Sequence, residues 1–133
     1  MLHCHYINNG KIEATRDLDE LRRIEAESIM WLDLLYATQE EQELVESKFN
    51  IELFTRQEAE EIESSSRYSE SGTEININSN FLVRNKERYG NEPVSFILRD
   101  NFLITQRNVE LKTFDDAHRR IRPHQARIHT SYE

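Results

Sequence analysis

Two pairs of side chains in this sequence have types and spacings that could do chemistry. Glu58 and Glu61 lie three apart in a stretch with helical spacing, so they share one face and present hard carboxylate oxygens, the donors that magnesium and calcium take. Glu58 also stands third after Thr55. A Thr-x-x-Glu capping box, in which Glu58 folds back onto the backbone amide of Thr55, accounts for it without any metal. His3 and His5 lie two apart on a strand pattern and so face one side, with Cys4 on the other. His3, Cys4 and His5 therefore cannot make a three-ligand site by themselves, and the histidine pair binds a metal only if further ligands arrive from elsewhere in the fold. Phosphate-binding glycine loops, a Gly-x-Ser-x-Gly elbow, a Cys-x-x-Cys pair and a His-Glu-x-x-His helix are all missing from the sequence, so its patterns give no support to an enzyme.

Composition narrows the partners. The 133 residues carry 25 acidic and 17 basic side chains, a formal charge of -8, which repels nucleic-acid backbones and anionic membrane surfaces and attracts divalent cations. Most of those carboxylates serve as ordinary solubilising charge. A single cysteine, Cys4, rules out an internal disulfide framework and fits a reducing compartment. The longest apolar runs are a few residues, far from the ~20 needed to cross a bilayer as a helix. The length suits one domain with its own core.

The elements that would position these groups read in order. Residues 2–7 alternate, Asn8-Asn9-Gly10 is a turn signal, and residues 11–14 return as a second strand. Asp17 and Glu20 start a short helix with Leu18, Leu21 and Ile24 inward. Residues 29–35 are too short and too apolar for a surface helix and predict a buried strand. Thr38 with Glu41 forms a capping box for a helix that carries Leu44, Val45 and Phe49 and ends at Asn50. A second helix is predicted from Thr55 to about residue 63, then a turn at Ser71-Gly72, a long or bulged strand over 73–83, a charged surface loop over 84–92, and a hairpin of residues 93–98 and 102–105. Thr113 is expected to cap a last helix with Phe114, Ala117 and Ile121 inward and Pro123 beyond its end. Trp31, Leu34, Phe49, Phe96, Ile97, Leu103 and Phe114 form the expected core.

The string Trp31-Leu32-Asp33-Leu34-Leu35, the Thr-x-Glu-Glu helix start at Thr38, Phe49-Asn50-Ile51 with an acidic helix after it, and the strand-turn-strand from Pro93 to Thr105 together resemble the amino-terminal cytoplasmic domain of the CorA-type magnesium and cobalt transporters. The resemblance covers roughly the last three-quarters of the chain and lies in the order of several weak motifs. It implies an α/β fold, a layered α/β/α domain with a central mixed β-sheet of about six or seven strands. It places residues 1–123 in that domain and residues 124–133 in the lead into a stalk helix. The family's stalk, two membrane helices and Gly-Met-Asn motif are not in the sequence, so the resemblance implies a fragment at the cytoplasmic face of the cell membrane, joined to the membrane only through the missing part. It also implies a homo-oligomer, a pentamer in the intact transporter.

Superposing Phe49-Asn50-Ile51 on the family's Phe-Gly-Ile puts Glu58 where relatives carry an aspartate that helps hold a regulatory magnesium between subunits. The expected metal ligands are therefore Glu58 and Glu61, the expected cofactor is magnesium, held weakly in the isolated domain, and the expected function is metal sensing that gates a divalent-cation transporter. Glu58 as a helix cap stands beside that reading. So do two other functions, a zinc-transporting relative of the same superfamily and a free-standing soluble interaction or ligand-binding module.

Overall fold

The computed structural model describes residues 1–53, 67–71, 74–85, 88–99 and 102–121. Seven strands form one mixed sheet: β1 (Leu2–Asn8), β2 (Lys11–Thr15), β3 (Ile29–Leu35), β4 (Arg67–Ser71), β5 (Glu74–Asn85), β6 (Arg88–Arg99) and β7 (Phe102–Arg107), in the spatial order β2-β1-β3-β7-β6-β5-β4. Every neighbouring pair is antiparallel except β3 with β7, which run parallel at the centre. A three-stranded antiparallel unit in the order β2-β1-β3 and a four-stranded meander, β4 to β7, are thus joined along one parallel seam. Among the described residues three helices cover the sheet: α1 (Leu18–Arg23), α2 (Gln39–Phe49) and α3 (Lys112–Arg120).

Local chemistry explains the boundaries. The opening hairpin turns on Asn9 (φ 53°) and Gly10 (φ 77°), two consecutive left-handed residues that match the twist of the flanking strands and set Asn8 opposite Lys11. Helix α1 begins where Asp17 accepts a hydrogen bond from the Asp19 amide. Helix α2 has the full capping box: Thr38 Oγ1 accepts from the Glu41 amide at 3.1 Å and Glu41 accepts from the Thr38 amide at 3.0 Å. It ends at Asn50, which takes the left-handed conformation with φ 55°.

The sheet's two faces are filled differently. On one, Leu2 and Cys4 of β1, Leu32 and Leu34 of β3, Ile97 of β6 and Phe102 and Ile104 of β7 pack with Leu21 of α1 and Val45 and Phe49 of α2. On the other, Trp31, Val94 and Phe114 are joined by Phe81, Phe96, Leu103, Ala117 and Ile121 beneath α3. With helices on both faces the architecture is the three-layer α/β/α arrangement that the resemblance implied.

Four expectations are corrected. The expected loop over 84–92 is largely strand: residues 84–85 belong to β5 and residues 88–92 to β6, with Arg84 opposite Tyr89 and Asn85 opposite Arg88. Charge hides the strand pattern there, while the backbone pairing continues. Residues 67–71, for which no strand was expected, form β4 against β5. Helix α3 starts two residues early: its N-cap is Leu111, with no side-chain cap, and Thr113 lies inside the first turn. Of the seven expected core residues, Phe96 and Leu103 are only half-buried, because they flank the edge of the α3 cluster, while the other five are buried. The expected helix from Thr55, including Glu58 and Glu61, lies outside the described residues, as does the tail beyond residue 121.

Candidate functional site

Strand register builds the polar face. His3 pairs with Asp33 and His5 with Trp31 between β1 and β3, while Asp33 pairs with Thr105 and Leu35 with Arg107 between β3 and β7. Because alternate residues share a face, His3, His5, Trp31, Asp33, Thr105 and Arg107 all project to the side covered by α3. From above, α3 supplies His118, four residues after Phe114 and so on the same helix face.

Asp33 is the hub. Only 2% of its surface is exposed, and each of its oxygens is held twice. Oδ1 accepts from Thr105 Oγ1 at 2.7 Å and from Arg107 Nε at 3.2 Å, and Oδ2 pairs with Arg107 Nη2 at 2.7 Å and His118 Nε2 at 2.8 Å. Trp31 Nε1 donates to Thr105 Oγ1 at 3.0 Å, which orients that hydroxyl toward the carboxylate. Burial pushes the Asp33 carboxyl up, but the hydrogen bonds from His118, Arg107 and Thr105 outweigh it and hold the group down at about 2. Arg107 is fixed as firmly, with Nη1 donating to the Val109 carbonyl at 2.7 Å and its guanidinium 4.4 Å above the Phe114 ring centre. This is a buried ion pair with its hydrogen bonds satisfied, the condition under which such a pair is tolerated.

The imidazoles continue the chain. His118 Nδ1 lies 2.7 Å from His5 Nε2. With Asp33 ionised, His118 donates from Nε2, so its Nδ1 accepts from His5 and His5 Nδ1 is left as a lone pair; that atom is buried with no hydrogen-bond partner. The rings stack: His118 lies between His3, 4.0 Å away at 12°, and Trp31, 4.1 Å away at 4°. Burial is the main cause that lowers His3 and His5 to about 4, with the neighbouring His118 and Arg16 adding to it and Asp33 opposing it. Both rings are therefore neutral near pH 7. A cavity of about 130 Å³ opens onto the cluster, lined among others by His3, Asp33, Arg107 and His118.

A carboxylate that orients an imidazole is half of a nucleophile-activating arrangement, but the position beyond His118 is filled by another imidazole rather than a hydroxyl or thiol. The cluster can hold protons or offer nitrogen lone pairs; it is not arranged for acyl transfer. Cys4 sits on the opposite, apolar face, where burial pushes its thiol up to about 12 and leaves it inert.

Of the residues singled out in the sequence, His3 and His5 are brought together as expected, and the further ligand type that they needed does arrive, as His118. Sequence reasoning missed the other members. Asp33 had a signal, a charge between leucines in a buried strand that demands a partner. Its partners lie more than 70 residues away, and local spacing carries no trace of them.

A family model described as CorA-like Mg2+ transporter protein matches residues 26–133. The magnesium transport protein CorA of Wolinella succinogenes is 36% identical over 99 residues, which cover 71% of this chain and 31% of that protein. Those of Campylobacter jejuni (strain RM1221) and Escherichia coli (strain K12) are 39% identical over 104 residues and 35% over 103, covering 71% and 72% of this chain and 32% and 33% of those proteins. The chain thus spans about a third of the length of these relatives. The complete structure of the CorA magnesium transporter from Methanocaldococcus jannaschii superposes with a TM-score of 0.67 over 91% of this chain and 36% of that one, at 15% identity, a likeness of fold. Among the described residues no helix is long and apolar enough to cross a membrane. With a family match over residues 26–133 and relatives above 30% identity across most of that span, the chain belongs to the CorA-like magnesium transporter family.

Proposed function

We propose that this chain is the cytoplasmic metal-sensing domain of a CorA-type divalent-cation transporter. The observation that carries the reading is the family match over residues 26–133, set beside a formal charge of -8 that draws divalent cations to the domain. In this reading Glu58 and Glu61 face carboxylates of a neighbouring subunit in a pentamer. Like charges across that boundary repel unless magnesium sits between them, so a plentiful ion favours the closed ring and a scarce one releases it. A hard cation with oxygen donors suits this role, and one subunit supplies only part of its coordination, so the isolated domain binds magnesium loosely, at ~10⁻⁴–10⁻³ M or weaker.

The experiment is ion flux through the full-length transporter, measured against internal magnesium, with and without Glu58→Gln. Glutamine keeps a capping acceptor and loses the charge. The expected result is a magnesium inhibition curve displaced from that of the unmodified protein. An inhibition curve that superposes on that of the unmodified protein would remove Glu58 from the sensor.

A further inference from the structure

We propose that His3, His5 and His118 form a binding site for a borderline transition-metal cation of the zinc, cobalt(II) or nickel class, with Asp33 holding His118 in place from behind. The site does not depend on the magnesium-sensing reading, since it uses imidazole nitrogens from another part of the chain. The three residues each present a ligand atom, and these atoms lie within 4.8 Å of one another. A tetrahedral ion with metal-nitrogen bonds of ~2.0–2.1 Å needs its nitrogens roughly 3.3 Å apart, so His5 Nε2 and His118 Nδ1, now 2.7 Å apart, spread slightly while His3 moves in, adjustments that side-chain rotation can supply. The donor set selects the metal: imidazole suits zinc, cobalt and nickel, whereas magnesium wants oxygens, and both oxygens of Asp33 are already held by Thr105, Arg107 and His118.

The arrangement of the nitrogens suits a shared ligand. His5 Nε2 and His118 Nδ1 already face each other at 2.7 Å, so two ring nitrogens converge on one point. Asp33 bonds His118 Nε2, the carboxylate-imidazole pairing that fixes a metal-binding histidine and leaves its other nitrogen, Nδ1, to coordinate. On entry the ion replaces the hydrogen that now bridges His5 Nε2 and His118 Nδ1, and that hydrogen moves to Nδ1 of the same His5 ring, so no proton is lost. His3 must swing from its stack on His118. It is half-buried and lines the cavity of about 130 Å³, which gives it room and leaves the fourth coordination position to water. Arg16 and Arg107 on the cavity wall are countered by Glu110, Asp115 and Asp33.

Trp31 is the chain's single tryptophan and stacks 4.1 Å from His118, so its emission reports on this cluster. The tag-free 133-residue chain is titrated with zinc, cobalt(II), nickel or magnesium chloride while Trp31 fluorescence is followed. Expected are saturable quenching by cobalt and nickel at one ion per chain, competition by zinc, and no response to magnesium at about a hundredfold excess. His3→Ala, at a half-buried position, should keep the metal-free circular dichroism and weaken binding by more than about tenfold. His118→Gln, which preserves a donor toward Asp33, should do the same. A chain carrying His124→Ala and His129→Ala should bind as before. The proposal is overturned if none of the three metals gives a saturable response, if His3→Ala binds as tightly as the unmodified chain, or if the loss follows His124 and His129 instead.

Discussion

One sheet presents two interiors. The face beneath α1 and α2 is apolar from Leu2 to Ile104, and its members are held by area alone. The face beneath α3 mixes an aromatic patch with a buried carboxylate bonded to a guanidinium and to His118, with His5 bonded to His118 in turn and His3 stacked on it. Non-directional burial tolerates exchange of one aliphatic residue for another, whereas a buried polar network fails when any member is removed. The difference also bears on function: the apolar face holds the layers together, and the polar face is where lone pairs and a cavity meet.

The largest expected effect follows from that contrast. Asp33→Ala leaves Arg107 buried without its counter-ion, and breaking such a pair from one side costs about 3–5 kcal/mol. Leu34→Ile on the next residue, facing the apolar side, should cost less than about 1.5 kcal/mol. Denaturant unfolding of the two variants makes the test. Equal losses would mean that the polar face is packed like the other and that the network is incidental.

The same contrast explains what the sequence disclosed. Much of the apolar face was legible, because period-two strands and the 3.6-residue helix repeat are local signals: the apolar run holding Leu32 and Leu34, then Val45 and Phe49 after the Thr38 box, declare themselves within about 20 residues. The polar face is assembled by register, which sets His3, Asp33 and Thr105 side by side from three separate parts of the chain. Of its polar groups, the His3 and His5 spacing and the charge of Asp33 between two leucines were the local clues. Residues 84–92 misled for the opposite reason: the strand signal read from a sequence is apolar-polar alternation, and this charged stretch lacks it although residues 84–85 and 88–92 pair as strands.

A smaller, graded effect should appear on acidification. His3 and His5 titrate near 6.5 when unfolded and at about 4 in the fold, chiefly because they are buried, with His118 and Arg16 also disfavouring their charged forms and Asp33 opposing. Above 6.5 both states are neutral and nothing is lost. Between 6.5 and 4 the unfolded chain takes up protons that the fold refuses, so stability falls with pH. Asp33, lowered from 3.8 to about 2, adds a second loss below 3.8. Thermal unfolding of the metal-free chain across these windows checks the sign. A His3→Gln, His5→Gln variant should flatten the upper window and leave the lower one, and an unaltered upper slope would show that burial of the two rings does not set it.

The smallest effect marks the boundary of the comparison, where an interaction is local, exposed and legible in the sequence. Thr38 and Glu41 bond each other's backbone at the start of α2, and the Glu41 carboxylate also takes the amino-terminal ammonium at 2.9 Å. Thr38→Ala removes one acceptor from a solvated helix end, where water can replace it, so the expected loss is about 1 kcal/mol. Thr38→Ser keeps the hydroxyl and should be nearly neutral. Neither change touches the polar face, so Trp31 emission should match that of the unmodified chain in both variants. A loss as large as that of Asp33→Ala would mean that α2 is coupled to the buried network through the sheet; that would erase the distinction between the two faces, because a cap on the apolar side would then be setting the geometry of the polar one.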